Sequence, residues 1–148
     1  MGVGTLRRST VLPCAPEVVF AFLTVPENAR RVMRGVTRFE PLDPGPMRLG
    51  SRFLQTRVVR GVPASAEVEV VAFEPARRLV IAGGARGVDV RFEYRLTPER
   101  GGTRVDMACE VAASGALRLF TPLIAALVER EEGEHLERLA QLLLSPAR

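Results

Sequence analysis

The stretch VDVRFEYRLTPERGGTRVDMACEVA, residues 88–112, alternates apolar and polar residues on both sides of a central turn. Alternation of this kind is typical of β-strands with one buried and one exposed face. Residues 88–97 and 103–112 are therefore predicted to pair as an antiparallel hairpin across the glycine-rich turn at 98–102.

The same alternation predicts the register of this hairpin. Tyr94 opposite Met107 and Phe92 opposite Cys109 place all the apolar residues on one face, and a slip by one residue would mix the faces. On the other face the same register sets two arginines opposite acidic residues, Arg95 opposite Asp106 and Arg91 opposite Glu110.

Outward from the hairpin, five further runs favour strands: 5–12, 35 to about 41, 51–60, 64–74 and 77–83. Two short helices are expected to begin at Pro16 and Pro26, since proline is tolerated in the first helical turn. Leucines at steps of three and four predict a long C-terminal amphipathic helix with Thr121 as its N-cap and Pro122 at its start. Gly133 is its weak point, costing about 1 kcal/mol relative to alanine.

The run 51–60 is predicted to pair with 64–74 across a loop at Gly61-Val62-Pro63. The favoured register keeps apolar residues together and turns them inward. It consists of Leu54 opposite Val70, Thr56 opposite Val68 and Val58 opposite Ala66.

Composition excludes several kinds of chemistry. The chain has 148 residues, which suits a single domain over 1–148. All 21 basic residues are arginine, so lysine Schiff bases and Walker-type phosphate sites are excluded. One histidine, and two cysteines without CxxC spacing (Cys14 and Cys109), argue against a metal site, and no cofactor is expected.

The charge pattern bears on partners and location. The pI is about 10.3, but the arginines are dispersed and aromatic residues make up only 5% of the chain, which argues against nucleic-acid binding. No signal peptide or membrane-spanning run is visible. A cytoplasmic monomer or homodimer is therefore expected.

These elements predict an α+β fold: a curved antiparallel sheet of about seven strands, two short helices, and a long C-terminal helix over the concave face. An antiparallel sheet must cover its apolar face. Small side chains facing a long helix favour an internal cavity, whereas the usual density of protein interiors favours a solid core. Both alternatives remain open from the residues alone.

Six segments in this order carry a resemblance to a known family: Val11–Phe20, Pro26–Asn28, Gly50–Phe53, Val71–Pro75 with Arg78-Leu79, Gly102–Val105, and Leu136–Leu139. Through them the chain resembles the START-like helix-grip (SRPBCC) superfamily, in its polyketide cyclase/dehydrase branch. The resemblance implies a deep hydrophobic pocket for lipids, sterols or polyketides, in which some members catalyse cyclisation or dehydration. The tryptophan that many relatives carry after the second motif is replaced here by Arg31-Val32.

The inward faces of the strands and the last helix supply the candidate ligand-binding residues: Leu54, Thr56, Val58, Val68, Val70, Val90, Phe92, Tyr94, Met107, Cys109, Phe120, Ile124 and Leu127. Two of the chain's residues are candidate acids or bases. Tyr94 either orients a ligand or is a core tyrosine whose hydroxyl reaches a loop. His135 either acts at the pocket edge or lies on the helix surface beside Glu131 and Glu134.

Three functions are compatible with this interpretation. The favoured one is binding of a small hydrophobic ligand without chemistry, because no acid and base occur at a forced spacing. The second is a cyclase or dehydratase that uses Tyr94 or His135. The third is a protein-interaction domain of co-chaperone or toxin type, which would have an exposed apolar patch and little cavity.

Overall fold

The computed structural model describes residues 2–33, 35–59, 61–85, 87–115 and 134–144, together with positions 119, 122, 126 and 130. The strands are β1 (Gly2–Leu12), β2 (Val36–Pro41), β3 (Arg52–Val59), β4 (Val62–Glu74), β5 (Arg78–Ala85), β6 (Val88–Glu99) and β7 (Gly102–Ala113). The helices are α1 (Pro16–Leu23), α2 (Pro26–Val32) and α3 (His135–Leu144).

The seven strands form one curved antiparallel sheet in the order β1-β7-β6-β5-β4-β3-β2. Each strand from β2 to β7 pairs with its neighbours in sequence, and β1 returns to pair with β7. The helices cover one face of the sheet, which we call the concave face. The predicted α+β architecture and its order of elements are confirmed.

Both short helices begin where the prolines predicted. Pro16 and Pro26 are each the first helical residue, where a missing N–H removes no intrahelical hydrogen bond. The Asn28 side chain donates a hydrogen bond to the Phe22 carbonyl, with 3.1 Å between nitrogen and oxygen. This bond ties the first turn of α2 to the end of α1.

The predicted register of the β6–β7 hairpin is confirmed, with Tyr94 opposite Met107 and Phe92 opposite Cys109. Arg91 and Arg95 also face their predicted partner positions across the strands. Their ion pairs, however, are made along their own strand, where both guanidinium groups contact Glu93.

The predicted register of β3 and β4 is wrong. Val59 pairs with Val62, so the connection contains only two residues, and Gly61 adopts a φ of 77° that glycine accommodates without strain. Pro63, placed in the loop by the sequence prediction, lies in β4 opposite Val58.

This shorter turn reverses the faces of β3. Phe53 and Gln55 are buried on the concave side, and the Phe53 ring stacks on Phe39 with 4.7 Å between centroids. Val58 is 39% exposed, and the Thr56 hydroxyl contacts Ser65 in an exposed position. The inward orientation predicted for Leu54, Thr56 and Val58 is therefore incorrect.

The C-terminal helix is confirmed in part. Pro122, Ala126 and Arg130 have helical backbone, but α3 begins at His135 after a turn at Glu134. The helix is thus not continuous through the position next to Gly133, its predicted weak point. The predicted contacts of Phe120, Ile124 and Leu127 lie outside the described residues.

Helix α3 packs on the concave face through residues that are almost fully buried. Leu136 and Leu139 belong to the same core cluster as Leu6 of β1 and Met107 of β7. Among the helices that the structure describes, none is long and apolar enough to cross a membrane.

Candidate functional site

Two residues far apart in sequence meet beneath the last helix. Tyr94 points to the concave side because it shares the inward parity of Phe92 and Leu96 on β6. His135 is the first residue of α3. The Tyr94 hydroxyl and His135 Nε2 form a short hydrogen bond, so the structure joins the two candidate acid–base residues into one pair.

The pair is shielded from water. Tyr94 is 6% exposed and His135 is completely buried, so the surface position considered for His135 is wrong. The Phe92 ring lies at 6.0 Å from the imidazole ring with an angle of 30° between the planes. A phenol and an imidazole can each donate or accept this hydrogen bond, and the direction depends on the histidine tautomer.

A small cavity adjoins this pair. It encloses about 20 Å³, enough for about one water molecule. Its walls come from both short helices and from strands β2, β3, β5 and β6: Phe22, Leu23, Asn28, Ala29, Val32, Met33, Phe39, Gln55, Ile81, Phe92 and Tyr94.

Gln55 is the unusual member of these walls. The residue is only 8% exposed, and within the described part of the chain its side-chain amide has no hydrogen-bond partner. A buried polar group without a partner costs about 1–3 kcal/mol. Native proteins usually satisfy such groups with protein, water or ligand, so this amide has hydrogen-bonding capacity for an atom that enters the cavity.

Helix α2 forms one wall of the cavity, and α3 holds it in place. The Arg138 guanidinium donates a hydrogen bond to the carbonyl oxygen of Val32, the last residue of α2, at 2.7 Å. Arg138 lies one turn after His135. Helix α3 therefore contacts the sheet through His135 and contacts α2 through Arg138. Movement of α2 away from the sheet would break the Arg138 bond.

The predicted ligand-binding residues divide into four groups. Phe92 and Tyr94 line the cavity. Val68, Val70, Met107 and Cys109 are buried in the core, and Val90 packs against it half-buried. Leu54, Thr56 and Val58 belong to the misassigned face of β3. Phe120, Ile124 and Leu127 are outside the described residues.

The sequence prediction missed Gln55 and the helical side of the cavity. Gln55 has the same parity as Phe53, so choosing the large aromatic residue as the marker of the inward face would have found it. The contributions of α1 and α2 depend on how these helices fold back on the sheet. The spacing of apolar residues in such short helices does not predict that packing.

A cluster of charged side chains around Glu93 lies away from the cavity. Partial burial acts to raise the pKa of Glu93, but hydrogen bonds from Arg78 and Arg91 and the charge of Arg95 outweigh it and lower the pKa to about 2. Glu93 alternates with Phe92 and Tyr94 along β6, so its side chain projects from the opposite face of the sheet.

A seven-stranded antiparallel sheet, two short helices after the first strand and a terminal helix on the concave face together define the START-like helix-grip fold of the SRPBCC superfamily. A family model described as polyketide cyclase / dehydrase and lipid transport matches residues 4–143. The chain belongs to this family.

Solved structures support the fold at low sequence identity. Ara h 8.0201 is similar with a TM-score of 0.76 and 17% identity, over 98% of this chain and 100% of that one. The truncated norcoclaurine synthase from Thalictrum flavum gives 0.71 and 11%, over 98% and 96%. The di-domain ARO/CYC protein StfQ from the steffimycin biosynthetic pathway gives 0.74 and 10%, over 93% of this chain and 49% of that one. No curated protein matches the sequence.

Proposed function

We propose that this protein binds a small hydrophobic molecule, such as a lipid, sterol or polyketide-like compound, between the concave face of the sheet and helices α1 and α2, beside the C-terminal helix. The observation that carries this proposal is the Gln55 amide, which has no partner among the described residues and lies in the wall of a mainly apolar cavity next to the Tyr94–His135 pair. Ligand pockets typically combine apolar walls with a few polar groups that orient the ligand.

Binding requires the cavity to open. Its volume of about 20 Å³ is well below the roughly 300–1,000 Å³ of ordinary ligand pockets. We expect helix α2 to move, because it has only seven residues. Its displacement would require breaking the Arg138–Val32 bond to α3. Displacing it would free the space now taken by the side chains of Val32 and of Met33, which follows the helix.

Thermal shift measurements with fatty acids, sterols and aromatic polyketides test this function. A ligand at one hundred times its Kd stabilises the folded state by about 2.7 kcal/mol. For a domain of this size that raises Tm by several degrees, in a saturable way. Responses that stay flat across the whole panel would contradict the proposal.

The Tyr94–His135 hydrogen bond favours a second candidate, a cyclase or dehydratase. In a dehydration, the pair would donate a proton to a departing hydroxyl, which leaves as water, and recover a proton from the neighbouring carbon. General acid–base catalysis of this kind typically contributes a factor of about 10²–10⁴. The enzyme candidate requires that Tyr94→Phe abolish turnover while retaining ligand binding, and unchanged turnover in this variant would exclude it.

The cysteines bear on the proposed location. Cys14 is a free, half-buried thiol, and Cys109 is buried in the core. Free thiols persist in reducing compartments. We propose a cytoplasmic location and a monomeric or homodimeric state, and gel filtration under reducing conditions tests the oligomeric state.

A further inference from the structure

We infer that the ligand presents an uncharged oxygen group, such as a ketone, phenol or alcohol, to Gln55 and Tyr94, and that carboxylates and phosphates are disfavoured. This inference rests on the proposed binding function and specifies the ligand class for the same cavity. It assigns Gln55 as the residue that determines this specificity.

The first argument is the state of the Gln55 amide. Its side chain offers two N–H donors and one carbonyl acceptor, and in the described structure none of them is used. Asn28, the other amide of the cavity, donates instead to the Phe22 carbonyl. Of the two amides in the described walls, Gln55 is therefore the one with all of its hydrogen-bonding groups open to a ligand.

The second argument is the hydrogen-bonding flexibility of Tyr94. Its hydroxyl lies at the cavity wall and is bonded to His135 Nε2, and a phenol oxygen carries both a hydrogen and acceptor lone pairs. A ligand carbonyl that reaches both Tyr94 and Gln55 can therefore accept a hydrogen bond there. A ligand hydroxyl can both donate and accept. The cavity volume of about 20 Å³ already accommodates one such oxygen.

The third argument is charge. The cavity walls that the structure describes contain no arginine, aspartate or glutamate side chain. Burying an anion without a cationic partner is strongly unfavourable, because the charge loses its hydration. A neutral oxygen makes the same hydrogen bonds without that penalty, so an acid is expected to bind more weakly than the matched alcohol.

A matched series of probes tests the inference: naphthalene, 2-naphthol and 2-naphthoate, which share one ring system. Their Kd values are measured by calorimetry or fluorescence on the full chain and on two variants. Gln55→Leu replaces the amide with an apolar side chain of similar size. Gln141→Leu, on the exposed side of α3, makes the same change away from the cavity.

Wild type and Gln141→Leu are expected to bind 2-naphthol about tenfold more tightly than naphthalene and more tightly than 2-naphthoate. In Gln55→Leu the preference for naphthol over naphthalene should disappear while naphthalene binding is retained. The Tm of Gln55→Leu should not fall, because the substitution removes a buried unsatisfied group.

The outcomes separate this inference from the proposed function. Equal binding of the three probes by the wild type, or tighter binding of naphthoate, overturns the inference and leaves hydrophobic binding in place. An unchanged naphthol preference in Gln55→Leu overturns the assignment of Gln55. Binding of none of the probes overturns the inference, and the panel of fatty acids, sterols and polyketides then decides the proposed function separately. If Gln55→Leu does not fold, the order of the three wild-type Kd values still decides the ligand class.

Discussion

The Tyr94 hydroxyl and His135 Nε2 are hydrogen bonded although 41 positions separate the two residues in sequence. One belongs to a central strand and the other starts the last described helix, so a single bond connects the sheet to the helix that covers it. Both groups are buried, and a neutral hydrogen bond in such surroundings is expensive to lose.

Tyr94→Phe is therefore expected to lower the free energy of unfolding by about 1–3 kcal/mol, the cost of removing one partner of a buried polar group. Urea denaturation at neutral pH measures the change. His135→Leu should also destabilise, and the double variant should lose less than the two single losses combined, because both remove the same bond. Strict additivity of the two losses would contradict a direct interaction.

Glu93 predicts acid sensitivity. Its pKa is lowered to about 2 in the folded protein, against an ordinary value of 4.5. The unfolded state therefore binds more protons over this interval, and the stability contributed by ionised Glu93 is lost as pH falls from about 4.5 to about 2.

Comparing the free energy of unfolding at pH 6 and pH 3 tests this effect. Glu93→Gln should be less stable than wild type at pH 6 and should show a smaller loss on acidification. Glu40→Gln, at an exposed glutamate of β2, serves as the control. A wild-type loss that Glu93→Gln reproduces in full would rule out Glu93 as the source.

The corrected face of β3 makes a separate prediction. Phe53 is 2% exposed and stacks on Phe39, so Phe53→Ala should destabilise by about 3–5 kcal/mol. Val58→Ala, on the strand's other face and 39% exposed, should change stability by less than about 1 kcal/mol. Chemical denaturation of both variants compares them directly, and a larger loss for Val58→Ala would restore the register first expected from the sequence.

The two hairpins show what sequence alone could predict. In 88–112 every second residue is apolar and the turn contains two glycines, so only one register separates the faces. In β3, by contrast, Phe53 lies on one face and Leu54 on the other, with Gln55 and Thr56 following. Both parities contain apolar and polar residues, and the two-residue turn at Gly61 decided between them.

The candidate site was predictable only in its strand component. Parity alone placed Tyr94 inward, but His135 stands among glutamates, and its burial depends on where α3 begins. Gln55 was missed because both faces of β3 contain apolar residues, so the sequence did not show which face is buried. The pairing of these residues is long-range, and such contacts do not appear in local sequence patterns.

The last prediction concerns the opening of the cavity. Removing the Arg138 guanidinium with Arg138→Met eliminates its bond to the Val32 carbonyl at the end of α2. Hydrogen bonds from charged groups contribute about 1.5–3 kcal/mol, so α2 should open more often. Amide hydrogen exchange should accelerate about tenfold or more at the end of α2, for example at Met33, which follows the helix and whose N–H donates to the Ala29 carbonyl. Association of 2-naphthol should become faster in the same variant, because the wall moves more readily.

Arg100→Met, at the exposed β6–β7 turn, is the control and should leave the exchange rate and the association rate unchanged. Faster exchange spread evenly over the whole sheet would indicate general destabilisation instead, and unchanged exchange in α2 would show that Arg138 does not hold this wall.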